Sequence, residues 1–331
     1  MIVSRTPLRI SFVGGGSDLP SYYRRHGGAV LSTTIDQYIY VNVNRKFDAG
    51  IRVAYSKTEE VLQVAEIEHR LVRAALEMLK IEGGIEITTI ADIPSRGTGL
   101  GSSSSFTVGL IHALRRYLGG AASAAELGRE SCEVEIVRCA EPIGKQDQYA
   151  AAFGGLNLIE FLPDDSVRVE PVRISQATHD ALDAQMLCVY TGLSRSASAI
   201  LRHQGVAVEA SAHKQAALAR MVELAHVMRA ELMAGNVNSL GAILDENWSL
   251  KKSLSDKISS SEIDRFYSAA RSAGALGGKL LGAGAGGFLM FLAPPEKHGQ
   301  IVRALGGLRP VEFGLARTGS EIVFDDRPPP Q

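Results

Sequence analysis

Gly97-Thr98-Gly99-Leu100-Gly101-Ser102-Ser103-Ser104-Ser105 runs without a break into Phe106-Thr-Val-Gly-Leu-Ile111. The apolar stretch from Phe106 to Leu118 predicts a buried helix, whose first N–H groups have no partner within the helix. Glycines let a backbone approach a ligand closely, and serine hydroxyls donate to oxygens or ligate a hard cation. With the helix dipole added, the loop reads as a cradle for the phosphates of a nucleotide. A flexible linker would not feed directly into such a helix. No Lys-Ser/Thr pair closes the loop, so it is not a Walker A sequence.

Working outward, the 331 residues include 34 glycines, about a tenth of the chain against an average near 7%. They cluster at 14–16, at 97/99/101 and at 282/284/286/287, which excludes collagen-like and low-complexity readings. Lys plus Arg is 35 and Asp plus Glu 36, so no basic excess marks a nucleic-acid protein. The longest apolar runs, such as Phe288–Ala293, are of strand length, and no membrane association is expected. Cys132, Cys139 and Cys188 show no C-x-x-C spacing and read as buried free thiols in a reducing cytoplasm. The eight histidines carry no metal-ligand spacing.

The second glycine cluster, Gly14-Gly15-Gly16-Ser17-Asp18, follows a strand at Arg9–Val13. Asp36 lies where a ribose-binding acid would follow a dinucleotide turn, but G-x-G-x-x-G fails at Leu19, leaving an oxidoreductase a weak runner-up. Asp18 either binds substrate hydroxyls or closes an Asx turn. The third cluster, within Lys279–Phe288, reads on its own as close helix–strand packing. Between a helix and a strand, Glu141-Pro-Ile-Gly-Lys145-Gln-Asp147-Gln-Tyr149 places an ammonium two residues from a carboxylate, which favours the ionised Asp147 that accepts a hydroxyl proton. The bland alternative is a surface ion pair. Glu135, on the preceding helix, reaches the same cleft in position to hold Mg²⁺.

Patterning predicts strands at 38–43, 52–55, 85–89, 153–161 and 186–190. Helices are predicted at 64–79, 106–118, 124–139, 207–234, 237–249 and 262–273. The turn at Asp164-Asp165 opens a junction that divides the chain into domains 1–183 and 184–331.

Taken together and in order, Pro7–Asp18, Pro94–Ser105 and Lys279–Phe288 resemble the three signature motifs of the GHMP kinases, a family that includes galactokinase, homoserine kinase and mevalonate kinase. The resemblance covers nearly the whole chain. It implies an α+β fold of two domains, an S5-like N-terminal domain and a ferredoxin-like C-terminal one, with ATP bound between them. Gly97, Gly99, Leu100, Gly101, Ser102, Ser103 and Ser104 would hold the phosphates, joined by Gly284 of the third motif. Ser103 matches the family's Mg²⁺-binding serine and Glu135 its acidic ligand. Asp147 matches the catalytic aspartate, which points to the base-using branch, and Arg9 matches the basic residue of the first motif, with Lys145 adding to the local field. Gly15, Gly16, Ser17 and Asp18 would contact the acceptor, although Gly15-Gly16 departs from the galactokinase pattern. The stretches 13–20, 52–60, 144–149 and 190–196 are most similar to the branch that phosphorylates the anomeric hydroxyl of a heptose 7-phosphate, with fucokinases the alternative. A cationic pocket is then required for the acceptor's phosphate, for which Arg195, Lys145 and Arg24-Arg25 are candidates. A non-catalytic nucleotide-binding regulator is a more remote reading. The partner expected is a small sugar phosphate, and a homo-oligomer is compatible with the resemblance.

Overall fold

The structure, a computed structural model, describes residues 1–326 except 94–96, 194–199, 202–203, 206–207, 209–210 and 285. The N-terminal lobe is built on a nine-stranded sheet. Its long strands β1 (Ile2–Val13) and β2 (Gly28–Arg45) pair antiparallel and bury nearly continuous Val/Ile/Leu surface. Beyond β2 come β5 (Ile85–Ala91), β3 (Ile51–Ala54) and β4 (Thr58–Val61), with β3 parallel to β5. β6 (Asn157–Phe161) adds to the other end of β2 and carries β7 (Val167–Pro171).

The helices of this lobe are α1 (Pro20–His26), α2 (Arg70–Leu79), α3 (Ser102–Tyr117), α4 (Ala124–Cys132), α5 (Gln146–Phe153) and α6 (Gln176–Gln185). α3 is apolar on most sides, burying Phe106, Val108, Leu110, Ile111, Ala113 and Leu114, as a helix packed against sheet on one flank and helices on the other requires. Ser4 Oγ donates to the Gly109 carbonyl at 2.7 Å and pins α3 to β1.

The C-terminal lobe is a four-stranded antiparallel sheet in the order β11 (Arg309–Val311), β8 (Met186–Tyr190), β10 (Phe288–Leu292), β9 (Gly277–Leu280). That order, with helices in the two crossovers, is the βαββαβ arrangement of a ferredoxin-like domain. Helices α7 (Ala212–Ala234), α8 (Leu240–Ser253) and α9 (Ser261–Ser272) fill the first crossover, and α10 (Pro295–Ala304) fills the second. Trp248, Leu218, Met221, Leu289 and Phe291 form its core.

Several expected elements differ in the structure. The helix expected at 64–79 is a 3₁₀ turn at Val64–Glu66 followed by α2. The Glu59 carboxylate accepts the backbone N–H groups of Glu68 and His69 and draws the chain off helical course between them. The helix at 124–139 changes after Cys132 into a π-helical turn, Glu133–Arg138. The run expected as a strand from 153 begins only at Asn157, because α5 extends to Phe153. The 164–183 junction holds β7 and α6. A split at 183/184 also misses a return of the chain: β12 (Leu315–Ala316) pairs with β2 and β13 (Glu321–Asp325) with β1, so the tail belongs to the first sheet.

Candidate active site

A cleft of about 650 Å³ lies between the lobes, and both glycine-rich turns of the N-terminal lobe open onto it. The loop before α3 carries positive φ at Gly97, Gly99 and Gly101 (72°, 77° and 75°), and α3 has no side-chain N-cap, so its leading N–H groups remain for a ligand. The third glycine cluster closes over this loop. A Cβ on Gly99 would sit 2.3 Å from the Leu281 carbonyl oxygen, and one on Gly282 would sit 2.5 Å from the Gly99 Cα. Backbone thus packs on backbone, loop against loop, across the lobes. Gly282 and Ala283 line the cleft. A Cβ on Gly284, expected at the nucleotide, would lie 2.7 Å from the Ile258 carbonyl oxygen.

Arg9 joins this loop to Asp147. Its Nε and Nη2 donate to the two carboxylate oxygens of Asp147, each at 2.7 Å, while Nη1 donates to the Gly99 carbonyl at 2.7 Å. The Arg9 backbone N–H donates to the Leu100 carbonyl at 3.0 Å. Both oxygens of Asp147 keep lone pairs beyond the arginine fork, and these face the cleft from the first turn of α5. The cation expected beside Asp147 was Lys145, and here the structure corrects the sequence reading. Lys145 Nζ donates to the Asp165 carbonyl at 2.9 Å and to its carboxylate at 3.1 Å. At the N-terminus of α5 its side chain turns to the opposite side, over the Tyr23 ring.

Glu135 projects from the π-helical turn, an irregularity often found at functional positions. It is buried and accepts from Ser103 Oγ at 3.1 Å, Ser104 Oγ at 2.7 Å and Gln148 Nε2. Burial pushes its carboxyl up to about 7 against these stabilising bonds. All three partners are neutral, so the charged carboxylate lacks a bonded cation. A hard divalent ion completed by phosphate oxygens and water fits this pair of Ser103 and Glu135. Among the described residues no group of three or more His, Cys, Asp or Glu gathers as an all-protein metal site. Ser102, also expected at the phosphates, lines the cleft with its hydroxyl 3.3 Å from that of Thr98.

On the acceptor side, Gly15, Gly16 and Asp18 line the cleft. Asp18 accepts from the backbone N–H groups of Gly16 at 2.9 Å and Gln146 at 3.3 Å. Burial raises its pKa, and the neighbouring Asp147 charge adds to the shift. Ser17 is spent elsewhere, exchanging bonds of 3.1 Å with the backbone of Ala29 in β2. Arg24, like Lys145, is held by Asp165, and Arg195 lies outside the described residues.

The sequence reading missed the contribution of the C-terminal lobe. Asn247 and Lys251, one turn apart on α8, both reach the Gly14–Gly16 turn. Asn247 Oδ1 accepts from the Gly14 N–H at 3.2 Å, and Lys251 Nζ donates to the Gly15 carbonyl at 3.0 Å. Lys279 of β9 donates to the Ser11 carbonyl at 2.7 Å, where a register shift between Ser11 and Val13 bends β1. Both ammonium groups are buried, which lowers Lys251 to about 8 and Lys279 to about 7. The i, i+4 pairing of Asn247 and Lys251 on a helix was the signal available.

Comparison with known proteins agrees with this geometry. Residues 65–155 match the GHMP kinases N terminal domain profile and residues 228–307 the GHMP kinases C terminal profile. The chain is 31% identical over 319 residues to D-glycero-alpha-D-manno-heptose 7-phosphate kinase of Campylobacter jejuni, spanning 92% of this chain and 93% of that protein. It is 27% identical over 322 residues to the bifunctional fucokinase/GDP-fucose pyrophosphorylase of Arabidopsis thaliana, covering 90% of this chain but 30% of that one. A crystal structure of a D-glycero-D-manno-heptose 1-phosphate kinase from Bacteroides thetaiotaomicron superposes with a TM-score of 0.81 at 28% identity, over 99% of this chain and 100% of that one. With an anion-facing loop, an arginine-held aspartate and both profiles in order, the chain belongs to the GHMP kinase family, as a phosphotransferase acting on a hydroxyl group.

Proposed function

We propose that this sugar kinase transfers the γ-phosphoryl group of ATP to the anomeric hydroxyl of D-glycero-D-manno-heptose 7-phosphate, giving the 1,7-bisphosphate. The observation that carries the reading is the Arg9–Asp147 fork anchored on the Gly99 carbonyl, which sets a proton-accepting carboxylate beside the phosphate loop. The choice of acceptor is supported by the full-length similarity to a heptose 7-phosphate kinase.

In this mechanism the loop from Gly97 to Ser104 and the N-terminus of α3 bind the nucleotide phosphates. Ser103 and Glu135 would hold Mg²⁺, which would supply neutralisation of the charge developing on the transferred phosphoryl group. Asp18 positions the acceptor through its hydroxyls. Asp147 orients the anomeric hydroxyl and accepts its proton, while Arg9 fixes the carboxylate and adds positive field where charge develops. Bringing the two reactants together between the lobes supplies much of the remaining rate. The three cysteines are free and buried, consistent with action in a reducing cytoplasm.

The test is coupled ADP release with heptose 7-phosphate, fucose, galactose and mannose side by side. Heptose 7-phosphate is expected to give a kcat/KM at least tenfold above the others. Preference for fucose would replace the acceptor assignment with a fucokinase, a reading that the Arabidopsis relative makes the natural second choice.

A further inference from the structure

The mechanism leaves two buried lysines unused, and around them the cleft is rich in unspent hydrogen-bond donors. Lys251 has three ammonium protons and, among the described residues, bonds the Gly15 carbonyl at 3.0 Å and Gln204 Oε1 at 3.1 Å. Gln204 is fully buried, and its Nε2 has no partner among the described residues. The Ser11 hydroxyl, also buried, is unpartnered as well. An unsatisfied buried donor costs about 1–3 kcal/mol, so such a group calls for an explanation.

The floor over Gln204 is a glycine of necessity. A Cβ at Gly16 would lie 2.4 Å from Gln204 Nε2 and 3.1 Å from Lys251 Nζ, and its φ is 106°. A side chain here would collide with both groups; Lys251 itself lines the cleft, with Gln204 buried behind it. Lys279, one step closer to Arg9, has its positive charge disfavoured first by burial and then by Lys251 and Arg9. Three cations therefore follow β1 and its turn: Arg9 itself, Lys279 on Ser11 and Lys251 on Gly15. Arg9 and Ser11 are two residues apart, roughly 6–7 Å along a strand, and Gly15 lies further on. Asp147 already neutralises Arg9 at the phosphate-loop end. Asp18 is the acidic group that acts on Lys251, through space and without a hydrogen bond.

We propose that Lys251, positioned by Gln204 and admitted by Gly16, binds the phosphate that the acceptor carries at the end remote from the reacting hydroxyl. A phosphate dianion accepts bonds and donates none, which matches a site with donors to spare. The placement orients the acceptor, with its hydroxyl end at Asp18 and Asp147 and its phosphate at the C-terminal lobe. Acceptor binding thereby links the lobes through α8. The inference rests on the acceptor assignment above and names the residue that discriminates a phosphorylated sugar from a plain one.

The experiment compares kcat/KM for heptose 7-phosphate with that for the same heptose lacking the phosphate, in the wild type, Lys251→Met and Lys251→Arg. Wild type is expected to favour the phosphorylated acceptor. Lys251→Met is expected to lower that ratio roughly 10- to 100-fold, through KM of the phosphorylated sugar, as loss of a charge-assisted bond requires. Lys251→Arg restores part of it. The KM for ATP, measured in parallel, is expected to stay within about threefold. An unchanged ratio in Lys251→Met, or a loss confined to the KM for ATP, overturns the assignment while leaving heptose 7-phosphate as the acceptor. A wild type that turns over only unphosphorylated sugars overturns the acceptor reading itself, and the phosphate site with it. Thermal melting of each variant shows whether a loss of both activities reflects unfolding; Lys251→Arg then carries the comparison.

Discussion

Replacing Lys279 by Met should make the ligand-free protein more stable. Its ammonium is buried, and burial with repulsion from Lys251 and Arg9 brings it from 10.5 to about 7. At about 1.4 kcal/mol per tenfold change in proton affinity, the charged form carries roughly 4–5 kcal/mol of destabilisation below pH 7. Methionine keeps the length of the side chain and removes the charge. It also strands the Ser11 carbonyl, which loses a bond of 2.7 Å at a cost of about 1–2 kcal/mol. The net expectation is a gain of roughly 3 kcal/mol at pH 6.5.

The pH dependence has a definite sign. Between about 7 and 10.5 the unfolded lysine holds a proton that the folded one has lost, so wild-type stability contributed by this group rises with pH. The advantage of Lys279→Met is therefore full below about pH 7 and fades as pH rises toward 10.5. Urea denaturation of both proteins at pH 6.5, 8 and 9.5, followed by circular dichroism, measures it. A variant less stable than wild type at pH 6.5, or an advantage that grows with pH, would refute the idea that Lys279 is a desolvated cation.

Three further outcomes are expected. Asp147→Asn lowers kcat by about 10²–10⁴, the usual worth of a positioned proton acceptor, while binding of a non-hydrolysable ATP analogue stays within a few-fold, as titration calorimetry would report. Near-normal turnover would remove Asp147 from its role. Glu135→Gln raises the Mg²⁺ concentration needed for half-maximal activity about tenfold or more, because the amide keeps the serine contacts but not the charge; an unchanged Mg²⁺ titration would place the ion elsewhere. Gly282→Ala drives a methyl group to within 2.5 Å of the Gly99 Cα, so it lowers stability by about 2 kcal/mol or more and weakens ATP binding, both read by melting with and without nucleotide.

The features legible in the sequence were those whose cause is local. A glycine–serine run before an apolar segment states both a backbone conformation and a helix start, and the loop before α3 has that form. Glu135 and Ser103 were legible as a pair once the family motifs were recognised, and they lie hydrogen-bonded at 3.1 Å. Partnership across the chain was not legible. Asp147 is held by Arg9, 138 positions away, whereas Lys145, two positions away, is drawn to Asp165. Lys251 sits in a Lys-Lys pair near the end of a helix, one turn from Asn247, and only the approach of the Gly14–Gly16 turn makes it interior. The return of the tail was hidden for the same reason, since a five-residue strand at 321–325 does not announce which sheet it joins.

That return has a consequence for how the protein is made. β13 covers the flank of β1 at Ile2–Arg5, four positions before the arginine that organises the active site. A ribosome delivers residues 321–325 some three hundred residues after β1, so the sheet begun first waits long for this partner strand. Throughout synthesis one border of β1 stays open, and an open strand border invites pairing with a neighbouring chain. Nascent chains halted before β13 should therefore display an N-terminal lobe that is largely assembled yet prone to associate, and emergence of β13 should silence that tendency.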